Sequence, residues 1–244
     1  MTQRGTRFAS ETDLSLSAID GSVAKLPVVA PSSASARPAI VVVGFCVSES
    51  RNQAEPPRRA QVTSKLLVLD LDETLIYGTQ QELTVAPNFV VGDYFIYERP
   101  YLREFLDYCL AEFRVAVWTS ASDDYAVQVV SQLLGSVDKL VFLWARDRCT
   151  LQFDHREYVH LYTKNLKKAK RLGYALEQIV VVDNTAEKWS RQYGNLVQVA
   201  DFEGDQSDNE LVDLRAYLTY LNGVEDVRSI EKRGWRLKME WRRV

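Results

Sequence analysis

The chain has 244 residues, of which 46% are hydrophobic and 26% charged, and its formal net charge is -3. These values are typical of a soluble protein with one large domain or a domain plus an extension, and the acidic balance argues against a general nucleic-acid binder. The three cysteines (Cys46, Cys109 and Cys149) are odd in number and unrelated in spacing. We therefore expect reduced thiols in a cytoplasmic compartment, or a nuclear one in a eukaryote, without disulfides. No apolar run reaches the roughly 20 residues of a membrane span, so we expect no membrane contact.

Residues 1–60 differ in composition from the rest of the chain. They are rich in Ser, Ala, Arg and Pro and show little hydrophobic periodicity, which predicts a disordered or loosely attached extension. From residue 61 the chain alternates strand and helix patterns, which predicts an α/β domain with a mostly parallel sheet covered on both faces. Residues 229–244 are basic and are predicted to form a tail.

The predicted elements begin with residues 66–70, an apolar run typical of a buried strand. Residues 89–97 read as a hairpin that turns at Gly92-Asp93. Pro100 is predicted at the first position of a helix that extends to Phe113, and Ser122 is predicted to cap a helix that ends at Gly135. The remaining predictions are strands at 115–118, 140–144 and 179–182, a basic helix at 164–171, an acidic loop at 201–213 and a helix ending near residue 221.

Polar side chains follow three of these strands: Asp70 and Asp72, then Thr119 and Ser120, then Asp183 and Asn184. The carboxyl ends of parallel strands lie at one edge of a sheet, where ligands bind, so we expect these residues to meet there together with Lys164. Carboxylates hold a hard cation such as Mg²⁺, and Lys and Thr hold phosphate oxygens. An aspartate in such a site can attack phosphorus to form an aspartyl-phosphate.

Each of these signals also has a plain structural interpretation. The two aspartates and the Asp183-Asn184 pair could be ordinary turn residues, and Thr119-Ser120 could cap the following helix. Lys164 could belong to a solvated basic run, and Arg146 could be a surface charge. Their occurrence together, in order, favours the functional interpretation of the set.

The ordered motifs resemble the haloacid-dehalogenase (HAD) superfamily and, within it, the FCP/SCP group. This group comprises phosphatases of the RNA polymerase II C-terminal domain and is also called NLI-interacting-factor-like. The resemblance covers roughly residues 65–228 and implies a HAD-like (Rossmannoid) domain over 61–228. The segments that carry it are DLDETL at 70–75, Arg99-Pro100, WTSAS at 118–122, YTKNL at 162–166 and VDN at 182–184.

The resemblance implies a role for each matching residue. Asp70 would be the nucleophile and a Mg²⁺ ligand, and Asp72 would protonate the leaving oxygen, activate water and give its backbone carbonyl to the metal. Asn184 would complete the metal site. The implied phosphate-binding residues are Thr119, Ser120, Lys164 and Arg146, the last of which matches a family arginine near the substrate. Thr74 and Asp183 would support them, with Asp183 orienting Lys164. The chain departs from the family at Thr185-Ala186, where Ser-Pro is common.

Asp72 discriminates between reactions without the resemblance. Hydrolysis needs an acid for the leaving alkoxide and a base for water, and one carboxylate can serve both steps. A dehalogenase or an ion-pumping ATPase has less need of a carboxylate there. An aspartate two residues after the nucleophile therefore favours a phosphatase or a phosphomutase.

The two insertions that could carry a lid are short. The first, residues 76–98, has the size of a hairpin, and the second is largely used by a helix and a strand. We therefore expect no large cap and an open site suited to a phosphorylated protein or peptide. Phe89, Val90, Tyr94 and Phe95 could line an apolar pocket beside the phosphate, or could only pack the hairpin on the domain.

Three functions remain open on the sequence. The first is a Mg²⁺-dependent phosphatase of phosphoserine or phosphothreonine in proteins. The second is a small-molecule or nucleic-acid-end phosphatase that uses the same residues, and the third is a non-catalytic binding module of the same family. The complete set of motif residues favours an enzyme, and the sequence does not indicate an oligomeric state.

Overall fold

A computed structural model describes residues 64–154 and 158–240. The predicted extension at 1–60 lies outside these ranges, as do Cys46, His155 and Trp241. The strands are β1 (Leu66–Leu69), β2 (Ile76–Thr79), β3 (Phe89–Val91), β4 (Tyr94–Glu98), β5 (Arg114–Trp118), β6 (Leu143–Trp144), β7 (Thr150–Asp154), β8 (Val159–Thr163), β9 (Ile179–Asp183) and β10 (Leu196–Gln198). The helices are α1 (Leu102–Glu112), α2 (Asp123–Leu134), α3 (Lys167–Lys170), α4 (Glu210–Asn222) and α5 (Trp235–Glu240).

A five-stranded parallel sheet in the order β10-β9-β1-β5-β6 forms the centre of the domain. Successive side chains of a strand point to opposite faces, so each strand contributes to two cores. On one face Leu67 and Leu69 pack with residues of α1, α2 and α4. On the other, Leu66 and Val68 pack with α3 and with Trp118 and Trp189. The predicted α/β class, with both faces of the sheet covered, is confirmed.

The register of β1 explains why the strand ends meet. Leu69 pairs with Val117 of β5 on one side and with Val182 of β9 on the other. The next residue of each strand therefore lies at the same edge of the sheet, and the backbone N–H of Asp70 donates to the carbonyl of Val182 at 3.0 Å.

Two small antiparallel sheets extend from the central one. The predicted hairpin at 89–97 forms β3 and β4, with Gly92 in the left-handed region (φ +55°) at the turn. β2, which the sequence did not indicate, adds to β4 to make a three-stranded sheet. A second hairpin, β7–β8, was also missed. In the described part of the chain, both insertions are sheets of two or three strands, in agreement with the small insertion that was predicted.

Three predicted boundaries were wrong. Helix α1 begins at Leu102, after Tyr101 at its N-cap, so Pro100 precedes the helix. β6 begins at residue 143 rather than 140, and a 3₁₀ turn, Val137–Lys139, ends just before the predicted start. The basic helix is a single turn, and it begins at Lys167, where the Asn165 side chain accepts from the Lys167 N–H. Lys164 consequently lies in the loop before α3.

Residues expected to form a basic tail pack on the domain in part. The Trp235 side chain is buried, its ring lies 5.3 Å from that of Tyr217, and its Nε1 donates to the carbonyl of Gln198 at 2.8 Å. The indole combines a large apolar surface with one polar group that finds a partner, which favours burial. Residues on both sides of the predicted boundary at residue 228 therefore pack together.

The acidic segment 201–213 is held by internal ion pairs. Asp208 accepts from the buried Arg99 guanidinium through two contacts of 3.0 and 2.7 Å. Arg99 also donates to the carbonyls of Thr74 and Ala200 at 2.9 and 3.0 Å. A planar guanidinium suits such a set of acceptors. Arg99, which belongs to one of the family motifs, therefore links the segment after β1 to the segment after β10.

The cysteines of the described part, Cys109 and Cys149, are free thiols. Within the same residues, no helix has the length and apolar character needed to cross a bilayer.

Candidate active site

A cleft of about 360 Å³ lies at the carboxyl edge of the central sheet. Five of the predicted site residues line it: Asp70, Asp72, Thr119, Ser120 and Arg146. Tyr94, from the first insertion, forms part of one wall. Of the other insertion residues proposed for an apolar pocket, Phe89 packs on the core and Val90 is exposed.

Asp70 is buried, and both of its carboxylate oxygens have cationic partners. Oδ1 accepts from the Leu71 backbone N–H at 2.9 Å and lies 3.0 Å from Lys164 Nζ, whereas Oδ2 lies 3.0 Å from Lys188 Nζ. Burial by itself raises the pKa of a carboxyl, but the two ammonium groups outweigh it and hold the pKa of Asp70 at about 2. Asp70 is therefore ionised at neutral pH, as a nucleophile must be.

Lys164 bridges Asp70 and Asp183. Its Nζ lies 2.6 Å from Asp183 Oδ2, which also accepts from the Trp189 indole N–H at 2.7 Å. The Lys164 side chain is fully buried. Because a buried ammonium is stable only when it is paired, Asp183 fixes both the charge and the position of Lys164 beside Asp70.

Asp72 is surrounded differently from Asp70. Its Oδ1 accepts from the Tyr125 hydroxyl at 2.8 Å, and Thr119 Oγ1 lies 3.5 Å from Oδ2. Burial raises the pKa of Asp72 to about 6, with the Tyr125 hydrogen bond working in the opposite direction. A carboxyl with this pKa can exchange a proton near neutral pH.

The loop after β5 contributes the other cleft residues. Thr119 Oγ1 accepts from the Ala121 N–H at 3.0 Å, which fixes the hydroxyl at the strand end. Arg146 is exposed, and its Nε donates to the Ser120 carbonyl at 2.8 Å. Its guanidinium also lies 5.5 Å from the centre of the Tyr162 ring. These contacts hold the arginine at the rim of the cleft.

Asn184 and Thr74 form a second corner of the site. The Asn184 backbone N–H donates to Thr74 Oγ1 at 3.1 Å, and the Asn184 Nδ2 donates to Asp201 at 2.9 Å and to Glu73 at 3.1 Å. Thr74 Oγ1 in turn lies 3.3 Å from Asn184 Oδ1. The threonine therefore fixes the position of Asn184 at the end of β9.

The donor set at this end of the sheet fits Mg²⁺. No three His, Cys, Asp or Glu side chains among residues 64–154 and 158–240 form a metal site by themselves. Asp70 and Asn184 nevertheless provide hard oxygen donors, and the family resemblance implies that the Asp72 backbone carbonyl is a third. Mg²⁺ is commonly held by one or two carboxylates, with water and substrate phosphate completing its shell. The predicted ligands Asp70, Asp72 and Asn184 are compatible with this pattern.

Two residues of the site were not predicted. Lys188 belongs to a 3₁₀ turn, Ala186–Trp189, five residues after Asp183. Tyr125 lies in the first turn of α2, where the sequence indicated only a helix start. The sequence could have suggested Lys188 as a site residue, because it lies only a few residues after the predicted strand that ends in Asp183. No sequence signal distinguishes Tyr125 from the other aromatic residues.

Comparison with known proteins gives consistent matches. The sequence profile of the family described as NLI interacting factor-like phosphatase matches residues 65–228. The chain is 31% identical over 185 residues to CTD small phosphatase-like protein 2 of Dictyostelium discoideum, covering 72% of this chain and 30% of that protein. It is 30% identical over 176 residues to the putative CTD phosphatase-like protein 355R of Invertebrate iridescent virus 3, covering 63% of this chain and 95% of the viral one.

Among solved structures, the chain is similar to Fcp1, an RNA polymerase II CTD phosphatase, with a TM-score of 0.45 and 18% identity. This similarity covers 76% of the chain and 51% of the Fcp1 chain. The chain spans only 30% and 35% of the lengths of the Dictyostelium discoideum protein and of CTD small phosphatase-like protein 1 of Caenorhabditis elegans.

Proposed function

The chain belongs to the NLI-interacting-factor-like phosphatase family, and on this premise we propose that it hydrolyses phosphomonoesters through an aspartyl-phosphate at Asp70, with Mg²⁺ as cofactor. The observation that carries the proposal is the contrast between the surroundings of two carboxyls in one cleft. Two ammonium groups, each 3.0 Å from a carboxylate oxygen, lower the pKa of Asp70 to about 2, whereas burial raises the pKa of Asp72, which has only a hydroxyl at 2.8 Å, to about 6. Environments that move two carboxyls apart in this way assign one as nucleophile and the other as acid and base.

The first step of the proposed reaction is attack on the ester. A carboxylate oxygen of Asp70 forms a bond to phosphorus as the bond between phosphorus and the ester oxygen breaks. Protonated Asp72 gives its proton to the leaving oxygen, which departs as an alcohol. Bound Mg²⁺ would neutralise charge on the phosphoryl oxygens, and Asp70, Asp72 and Asn184 are the residues that would hold it.

The second step returns the enzyme to its starting state. Water attacks phosphorus while Asp72, now ionised, takes one of its protons, and the bond between Asp70 and phosphorus breaks to release inorganic phosphate. The Tyr125 hydroxyl, 2.8 Å from Asp72, orients the carboxyl for both transfers. Thr119, Ser120 and Arg146 line the space that the phosphoryl group would occupy.

We infer that the substrate is a phosphoserine or phosphothreonine segment of a protein. In the described residues the insertions are small sheets rather than a lid, and Tyr94 and Tyr125 provide an aromatic wall beside the phosphate position. An open cleft can accept a polypeptide, whereas a site for a small metabolite is commonly closed by a lid that excludes water. The relatives whose names describe them as CTD phosphatase-like support this inference.

A substrate panel tests this proposal. Phosphoserine and phosphothreonine peptides, sugar phosphates, nucleotides and DNA with a terminal phosphate would be compared in Mg²⁺ by phosphate release, with Asp70→Asn as the blank. We expect kcat/KM to be highest for the peptides. A clear preference for metabolites or nucleic-acid ends would reject the protein substrate but retain the chemistry. Absence of turnover on every member would leave a binding module.

A further inference from the structure

Two lysines contact Asp70, and they differ in access to the cleft. Lys164 Nζ lies 3.0 Å from Asp70 Oδ1, and its side chain has no exposed surface. Lys188 Nζ lies 3.0 Å from Asp70 Oδ2, its side chain is 17% exposed, and it lines the cleft. The ammonium that an incoming ligand can reach is therefore that of Lys188.

The charge of Lys164 is already matched within the protein. Asp183 lies 2.6 Å from its Nζ, against 3.8 Å for the distance between Asp183 Oδ1 and Lys188 Nζ. Lys188 consequently has one short carboxylate contact, to the nucleophile itself. Because an ammonium has three N–H donors, this contact leaves Lys188 with donors for further oxygens.

The backbone holds Lys188 in place. The Lys164 N–H donates to the Lys188 carbonyl at 2.8 Å, and the next residue, Trp189, is buried and bound to Asp183. The 3₁₀ turn that carries Lys188 is thus attached to the carboxyl end of β9 and to the loop before α3. A cation held in advance where charge develops stabilises a transition state without reorganisation.

We propose that Lys188 binds the oxygens of the transferring phosphoryl group, whereas Lys164 positions Asp70 from the buried side of the carboxylate. The inference rests on the proposed phosphatase function and reassigns the phosphate contact expected of Lys164. A phosphomonoester dianion approaching the Asp70 carboxylate meets repulsion, which the reachable ammonium offsets. Charge on the equatorial oxygens persists through phosphoryl transfer, so the same contact serves binding and reaction.

The proposed role of Lys188 accounts for the loop after β9, whose sequence departs from the family pattern. Thr185-Ala186 replaces the common Ser-Pro, and these residues lead directly into the turn that presents Lys188. The Thr185 N–H donates to Asp183 Oδ1 at 2.9 Å, which starts the turn at the end of β9. The loop therefore places a cation beside the nucleophile.

The test is the affinity for inorganic phosphate of Lys188→Met and Lys188→Gln, with Lys170→Met as matched control because Lys170 is an exposed lysine of α3. Phosphate would be titrated by ³¹P NMR with and without Mg²⁺, and as a competitive inhibitor of aryl phosphate hydrolysis. A lost charge-assisted hydrogen bond predicts weakening of at least tenfold in both Lys188 variants. The control stays within twofold of wild type, and Lys188→Arg recovers part of the affinity.

Two outcomes would overturn the inference. Phosphate affinity within twofold of wild type in whichever Lys188 variant folds would show that the lysine does not contact phosphate. Tighter binding of both Mg²⁺ and phosphate in the variants would show that Lys188 only competes for Asp70. A wild-type protein without turnover would reject the proposed function instead, and the Mg²⁺-free titration would still decide the role of Lys188.

Discussion

Asp70 and Asp72 are two residues apart, yet their pKa values lie on opposite sides of the ordinary range for aspartate. Two lysines surround Asp70, whereas a phenol and a threonine surround Asp72. The sequence predicts that both carboxyls belong to the site, because two aspartates at the end of a buried strand indicate a ligand site rather than packing. It does not predict the contrast in charge state, which depends on Lys188 and Tyr125 arriving from distant segments.

The pH profile follows from this contrast. Asp72 must be protonated to donate to the leaving oxygen, and its pKa is raised to about 6, so kcat/KM falls as pH rises through about 6. The Tyr125 hydroxyl stabilises the ionised form, so Tyr125→Phe raises the pKa of Asp72 further. We expect the alkaline limb to move up by roughly half to one unit, since a hydrogen bond contributes about 1 kcal/mol. A limb that stays in place or moves down would contradict this role of Tyr125.

At the scale of elements, β2 and α2 approach each other closely at Gly78 and Tyr125. A Cβ built on Gly78 would lie 2.5 Å from the Tyr125 hydroxyl oxygen. The small sheet therefore approaches the helix closely enough to hold the phenol on Asp72. Gly78, which shows no motif in the sequence, is a glycine required by close approach.

Substitution of this glycine tests the contact. Gly78→Ala must displace the Tyr125 hydroxyl, so we expect the same alkaline shift as in Tyr125→Phe and a loss of up to tenfold in kcat/KM. In the Tyr125→Phe background the obstructing oxygen is absent, and Gly78→Ala adds little, since changes at one contact are not additive. Equal effects of Gly78→Ala in both backgrounds, measured by pH-rate profiles, would refute this coupling.

The predictability of elements depended on their burial. β1, β5 and β9 are apolar and central, so their hydrophobic runs identified them. β2, β10 and the β7–β8 hairpin are short, peripheral or partly polar, and their pairing arises from tertiary contacts that leave no period-2 signal. The extent of α3 was misplaced for a different reason, because the Asn165 side chain accepts from the Lys167 N–H and fixes the helix start there.

At the scale of the whole molecule, the folded unit continues beyond the family match, which ends at residue 228. Trp235 is 1% exposed and stacks on Tyr217 of α4, whereas Leu237 on the same short helix is 62% exposed.

Removing a buried indole leaves a cavity. Trp235→Ala should lower the free energy of unfolding by roughly 3 kcal/mol, and Leu237→Ala by less than about 0.5 kcal/mol. Urea denaturation measures both, and equal small effects would mean that residues 229–240 are dispensable.

The edge of the central sheet brings the parts of the site together. Parallel register places Asp70 beside Asp183, with Thr119 one residue beyond the level of Asp70 at the end of β5. This much can be predicted from the sequence, because the carboxyl ends of neighbouring parallel strands lie at the same edge of a sheet. The loops then add Lys164, Lys188 and Arg146, whose approach depends on turn geometry that local patterns do not encode. The prediction was accordingly strongest for strand-end residues and weakest for loop residues.

The central claim is that Asp70 is phosphorylated during turnover. The most direct measurement is acid quenching of the wild-type protein and of Asp70→Asn during hydrolysis of a ³²P-labelled phosphomonoester in Mg²⁺, with subsequent peptide mapping of the label. We predict an acid-stable, hydroxylamine-sensitive label on the peptide that contains Asp70, and neither label nor turnover in Asp70→Asn. Turnover by Asp70→Asn at the wild-type rate, or a label on another residue, would contradict this claim.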